Sequence, residues 1–163
     1  MVEVLGEWPG VKVGKLGSVL VSVWRGTITP QLVEQVNALQ GQLIKEHGDI
    51  TAVGVLTGQS SGVPSEELRQ ASIMAMKRFQ AHVRGSALVI ATSGVKAMLA
   101  RTFFAGLSLM LSPSSPHRAF RTVEEAMRWL VEHDPRLDLG AAIRDIEAFA
   151  AQALELAPMK RSA

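Results

Sequence analysis

The sequence predicts a mixed α/β domain. A three-stranded antiparallel meander leads into strands alternating with helices, in the order β-β-β-α-β-α-β-α-β-α, with an extra C-terminal helix. Three observations carry this. Residues 2–24 are rich in β-branched side chains and are broken by glycine and proline turns. From Thr29 the hydrophobic period lengthens from two to that of a helix. Short apolar runs at 50–56 and 87–91 then sit between helical stretches, the pattern of a sheet with a parallel portion.

The elements follow in order. Val2 to Leu5, Val11 to Val13 and Ser18 to Trp24 read as strands, separated by turns at Trp8-Pro9-Gly10 and Gly14 to Gly17. Thr29 is an N-cap with Pro30 at the first helical position. Leu32, Val36, Leu39 and Leu43 make the apolar stripe, and Gly48 suits the C-terminal end. Ile50 to Leu56 is a buried strand. A loop from Thr57 to Pro64 leads to a second helix, capped by Ser65 with Glu66 and Glu67 at its positive end, which is expected to run to about Arg84 and stop at Gly85. Ala87 to Ala91 is the next strand, followed by a third helix over Gly94 to Leu111. After a break at Ser112 to Pro116, His117 to Arg121 reads as an edge strand. Thr122 and Glu125 then form a capping box for a fourth helix. Leu139, Ile143, Ile146, Ala150 and Ala153 stripe a fifth, closed by Pro158. Residues 1–157 read as one domain and 158–163 as a loose tail.

Composition narrows the function classes. A chain of 163 residues that is 47% hydrophobic and 20% charged can fill a core. The absence of cysteine excludes disulfides and thiolate metal sites. An acidic N-terminus without a basic n-region predicts no secretory signal, and Lys96 and Arg101 interrupt the most membrane-like stretch, so the expected compartment is the cytoplasm. Seventeen basic and fifteen acidic residues give a net charge of +2, with no Lys/Arg tract interleaved with aromatics, so no nucleic-acid partner is expected.

Four groups of residues are candidates for function. Ser60, Ser61 and Ser65 precede the second helix, where a phosphate would meet free N–H groups and the helix dipole; turn and capping chemistry is the simpler explanation for them. Lys96, Arg101, His117, Arg118 and Arg121 gather around the third helix and last strand and suit an anion, or a solvated face. Met74, Met76, Phe103, Phe104, Leu107 and Met110 exceed what one buried helix face requires, which suits an apolar pocket, an interface, or a core covered by the extra helix. His47, His82 and His133 fall near helix C-termini, where the dipole favours them, and no ligand spacing suggests a metal. Neither a Walker loop nor His-Glu-x-x-His occurs, so no enzyme and no cofactor are expected.

The strand Ala52 to Leu56 followed by Ser60-Ser61-Gly62 and a helix, the strand Leu88-Val89-Ile90 followed by a long apolar helix, and the closing run Phe120 to Leu130 together resemble the STAS superfamily, in particular its SpoIIAA-like branch. The likeness covers roughly residues 18 to 133. It implies a non-catalytic regulatory or scaffolding module acting through protein contact, of bacterial signalling type, with Ser60 or Ser61 at the position of a phosphorylated switch serine. Gln59 stands where regulatory members carry Asp. A carrier or sensor of a lipid or small hydrophobic ligand is the alternative. Weak self-association through the helix at 139–156 or the second helix is also expected.

Overall fold

The computed structural model describes residues 1–60, 65–111 and 116–155. It contains a six-stranded sheet and five α-helices. The strands are β1 (Glu3–Trp8), β2 (Val11–Leu16), β3 (Val19–Trp24), β4 (Ile50–Thr57), β5 (Val83–Ala91) and β6 (His117–Phe120). They lie in chain order across the sheet. β1, β2 and β3 pair antiparallel, and β3 to β6 pair parallel. The helices are α1 (Pro30–His47), α2 (Glu66–Phe79), α3 (Gly94–Ser108), α4 (Val123–His133) and α5 (Leu139–Glu155). The mixed sheet and its element order are those the sequence predicts.

Topology sets the layers. Each parallel strand is added on the same side of the previous one, so right-handed crossovers place α1, α2 and α3 on one face of the sheet. The other face is left to α4 and α5. There Val21, Val23, Val53 and Val89 pack against Met127, Leu130, Ile146 and Phe149, all at most 3% exposed. The apolar stripe of α5 is therefore used within the chain rather than offered as an outer face. On the first face, Val11, Val13, Leu20 and Ile50 pack under Leu43 of α1.

The caps act largely as expected. Thr29 accepts from the Leu32 N–H at 3.2 Å and Ser65 from the Leu68 N–H at 3.1 Å. Gly48 closes α1 at a φ of +81°, donating its N–H to Ile44 at 2.7 Å. Thr122 accepts from the Glu125 N–H, but Glu125 reaches back to the Arg121 N–H, one residue earlier than a capping box requires.

Three boundaries differ from expectation. α2 ends at Phe79, a single 3-10 turn spans Gln80–His82, and β5 starts at Val83. Val83 and Gly85 pair with Ile50 and Thr51 of β4, so their backbone bonds belong to the sheet and not to a longer helix. Gly85 is no helix stop: a Cβ there would lie 3.1 Å from Leu130 of α4, so glycine lets that helix approach. α3 ends at Ser108, and bonds from Leu109 to Ala105 and from Met110 to Leu107 close it as a turn. The end of the fifth helix and the tail at 158–163 lie outside the described residues.

Candidate functional site

The two faces of the sheet are built differently. On the α4–α5 face, β4 presents Thr51, Val53 and Val55, all buried. On the opposite face it presents Ala52, Gly54 and Leu56, only half-buried, although β4 is a central strand. The neighbouring strands continue this with Ser22 on β3 and Ser86 on β5, in register with Gly54 and Ala52. Small side chains thus pave the floor where α1, α2 and α3 pass over. They leave a cavity of about 560 Å³.

Val33 and Val36 of α1, Leu68 and Met76 of α2, and Phe103 and Leu107 of α3 wall it. A space of that volume lies within the range for small-molecule sites, about 300–1,000 Å³. Its polar lining is mostly committed elsewhere. Trp24 Nε1–H donates to Ser22 Oγ at 3.2 Å. The Thr57 and Ser60 hydroxyls both donate to the Trp24 carbonyl at 2.8 Å. Asn37, 3% exposed, donates to Ala75 O at 2.9 Å and accepts from Arg78, tying α1 to α2. What remains facing the space is largely hydrocarbon. Lys96 stands at the end near the carboxyl termini of the parallel strands, its ammonium 3.4 Å from Gly58 O.

His117 lies toward the other end, level with Ser86, its ring edge-on to Phe104 at 6.4 Å. Neither ring nitrogen has a partner among the described residues. Burial pushes the imidazole down to about 4. The folded protein therefore keeps His117 neutral where the unfolded chain, with an ordinary value near 6.5, gains a proton. Stability should fall as pH drops from about 6.5 to about 4 and then level. The loss is roughly 2–3 kcal/mol at most, allowing for the part of the ring that meets solvent. Urea unfolding of wild type and His117→Phe at pH 7.5 and 5 checks this: the variant should show a distinctly smaller drop.

The predicted anion cluster does not converge on one point. Arg101 and Arg121 line a separate crevice at the start of α3. Arg118 sits over the Phe120 ring at 5.5 Å, and His117 is half-buried beside the cavity. Of the predicted apolar set, Met76, Phe103, Phe104 and Leu107 line the cavity, whereas Met74 and Met110 point to solvent at 61% and 47% exposure. Ser60 is 9% exposed and hydrogen-bonded, Ser65 caps α2, and Ser61 lies outside the described residues. Among the described residues no group of three His, Asp or Glu side chains could hold a metal ion.

The expectation that the chain lacks a Gly-x-Ser-x-Gly motif is wrong: residues 58–62, Gly-Gln-Ser-Ser-Gly, have that spacing of a hydrolase nucleophile. Its structural context differs. That motif needs a strained turn delivering Ser straight into a helix, but no described non-glycine residue has a positive φ, and α2 begins only at Glu66. The Ser60 hydroxyl faces the Trp24 carbonyl, and no described histidine hydrogen-bonds it.

Comparison with models of protein families, with curated proteins and with solved structures finds no match. The cavity therefore has to be read from its own residues. The floor positions Ser22, Ala52, Gly54 and Ser86 are absent from the sequence-based candidates. Their signal is the contrast within β4, where small residues at even positions alternate with Val at 53 and 55.

Proposed function

We propose that this protein is a non-catalytic binding module that takes up an apolar or amphipathic small molecule, of the lipid-chain class, between the sheet and α1–α3. The observation that carries the reading is the 560 Å³ cavity over a floor of small side chains. Filling such space with side chains gains stability of about 24 cal/mol per Å³ in known cores. The chain forgoes that packing on one face while packing the other to completion, the usual trade of stability for a site. The resemblance to the SpoIIAA-like branch supports a non-catalytic role. Among the described residues no helix is long and apolar enough to cross a membrane.

Uptake can be followed by energy transfer from Trp24, which lines the cavity, to a fluorescent polyene fatty acid. Saturable, near-stoichiometric transfer that falls sharply in Trp24→Phe is the expected result. No saturable binding would sink the reading, and hydrolysis of a fatty-acyl ester by wild type but not by Ser60→Ala would replace it with an esterase.

A second reading is a regulatory module acting through protein contact, phospho-switched before α2. Exposed Met74 on α2 and the exposed apolar side chains of α3 favour it. Incubation with host lysate and ATP, with modified residues mapped by mass spectrometry, tests it: unmodified Ser60, Ser61 and Ser65 would end the switch.

A further inference from the structure

α3 is apolar on two opposite sides. Ala97, Phe104 and Leu107 turn inward. Val95 and Met98 turn outward at 67% and 58% exposure, Leu99 at the cavity's edge is 47% exposed, and Leu109 and Met110 continue the patch at 87% and 47%. At 3.6 residues per turn Val95, Met98 and Leu99 fall within an arc of about 100°, and Leu109 and Met110 lie in the turn just beyond the helix. These five are among the eight large hydrophobic side chains exposed among the described residues. Single exposed apolar residues are ordinary, but a cluster on one helix marks a contact surface.

The surrounding charge says what the surface meets. Lys96 and Arg101 flank the outer stripe, one on each side, and neither has a carboxylate partner among the described residues. Along the chain from Leu68 to Val123 there are eight Lys and Arg and no Asp or Glu, so all fifteen acidic residues lie elsewhere. The stretch holds α2 beyond its first two residues, and all of β5, α3 and β6. Three of its cations are satisfied by carboxylates outside it: Arg69 by Glu66, Arg78 by Glu34 and Arg84 by Asp49. Arg118 and Arg121 have no such partner among the described residues. A net charge of +2 conceals this segregation.

Long, flexible apolar side chains bordered by unpaired cations are the composition of a helix that lies in the headgroup region of a bilayer. The geometry points to the outer face of α3 as a docking surface for an anionic membrane, with Val95, Met98 and Leu99 entering the headgroup boundary and Lys96 and Arg101 meeting lipid phosphates. The inference goes beyond the cavity reading and stands without it, though Leu99 and Phe103 place the cavity wall on the same helix.

Co-sedimentation tests it with vesicles of phosphatidylcholine alone and of phosphatidylcholine mixed with phosphatidylglycerol. The protein should sediment with the mixed vesicles at least about tenfold more strongly, and added salt should weaken this, since each cation near an anionic surface contributes about fivefold. Val95→Asp with Met98→Asp, and separately Lys96→Glu with Arg101→Glu, should each lower partitioning at least about tenfold. All four positions are exposed, so circular dichroism should match wild type. Fatty-acid uptake in vesicle-free solution should persist in Val95→Asp with Met98→Asp, whose positions do not line the cavity, which separates failure of docking from failure of the cavity. Equal binding to both vesicle types, or wild-type binding by both double variants, would overturn the proposal. So would a dimer in sedimentation equilibrium that Val95→Asp with Met98→Asp dissolves, which would assign the face to a second copy of the chain.

Discussion

Ala52→Leu combined with Ser86→Leu is expected to weaken fatty-acid uptake sharply while raising the melting temperature. The two positions are register partners on β4 and β5, both half-buried on the cavity face. Two leucines there would occupy the floor without disturbing α4 or α5 on the far side. Added apolar contact in an existing cavity commonly yields about 0.5–2 kcal/mol. For a chain of this size that is an increase of about 1–8 °C. Uptake should weaken by about a hundredfold, or 2.7 kcal/mol. Calorimetry and the fluorescence titration read the two effects on one sample. A variant that is stabilised yet still binds as wild type would place the ligand elsewhere. A destabilised variant would mean that the helices above cannot accommodate the added volume.

The second large effect concerns Asp134, which is fully buried at the end of α4. It accepts the Thr51 hydroxyl of β4 at 3.0 Å, and the Arg136 guanidinium grips both its oxygens at 2.8 and 2.7 Å. Arg136 also donates to Asp49 O at 3.1 Å. One carboxylate thus fastens α4 to the sheet and sets the turn into α5. Asp134→Ala leaves a buried hydroxyl without its acceptor and a partly exposed guanidinium without its counter-charge, a loss of about 1–3 kcal/mol. The melting temperature should fall by about 2–12 °C. Arg136 holds the Asp134 carboxyl below the ordinary carboxylate range. A carboxyl lowered on folding stabilises at pH values above its unfolded value, about 3.9, and loses that contribution as pH falls toward its folded value. The stability gap between wild type and Asp134→Asn, measured in urea, should therefore be wide at pH 7 and narrow near pH 3.

The fold was legible because its signals are local. The alternation in β1 to β3, the period change at Thr29, and the caps at Thr29, Ser65 and Thr122 each act over a few residues. The limits of α2 were not, because Val83 to Gly85 carry no strand signal of their own and owe their pairing to β4. The cavity was half legible. Apolar excess on α3 pointed to Phe103, Phe104 and Leu107, but an empty space is a property of two facing surfaces, and a run such as Ile50 to Leu56 reads as evenly buried until its faces are separated. The charge segregation was fully present in the sequence, yet a net charge sums it away. The cation group was grouped too broadly because chain proximity of His117 to Arg118 says nothing of opposite strand faces: one side chain is half-buried and the next is exposed.

Arg25 also bears on how the chain reaches and keeps this arrangement. Its guanidinium, 2% exposed, donates to Glu7 of β1 at 2.8 Å, to the Trp8 carbonyl at 3.1 Å and to the Ala153 carbonyl of α5 at 2.6 Å. The last contact joins positions 128 residues apart. Closure over so long a loop is rewarded only after the units between have assembled. A bond made after the rate-limiting step leaves the speed of folding almost untouched and slows unfolding instead. Arg25→Ala is therefore expected to speed unfolding more than it slows folding, as read from the two arms of a denaturant–rate plot.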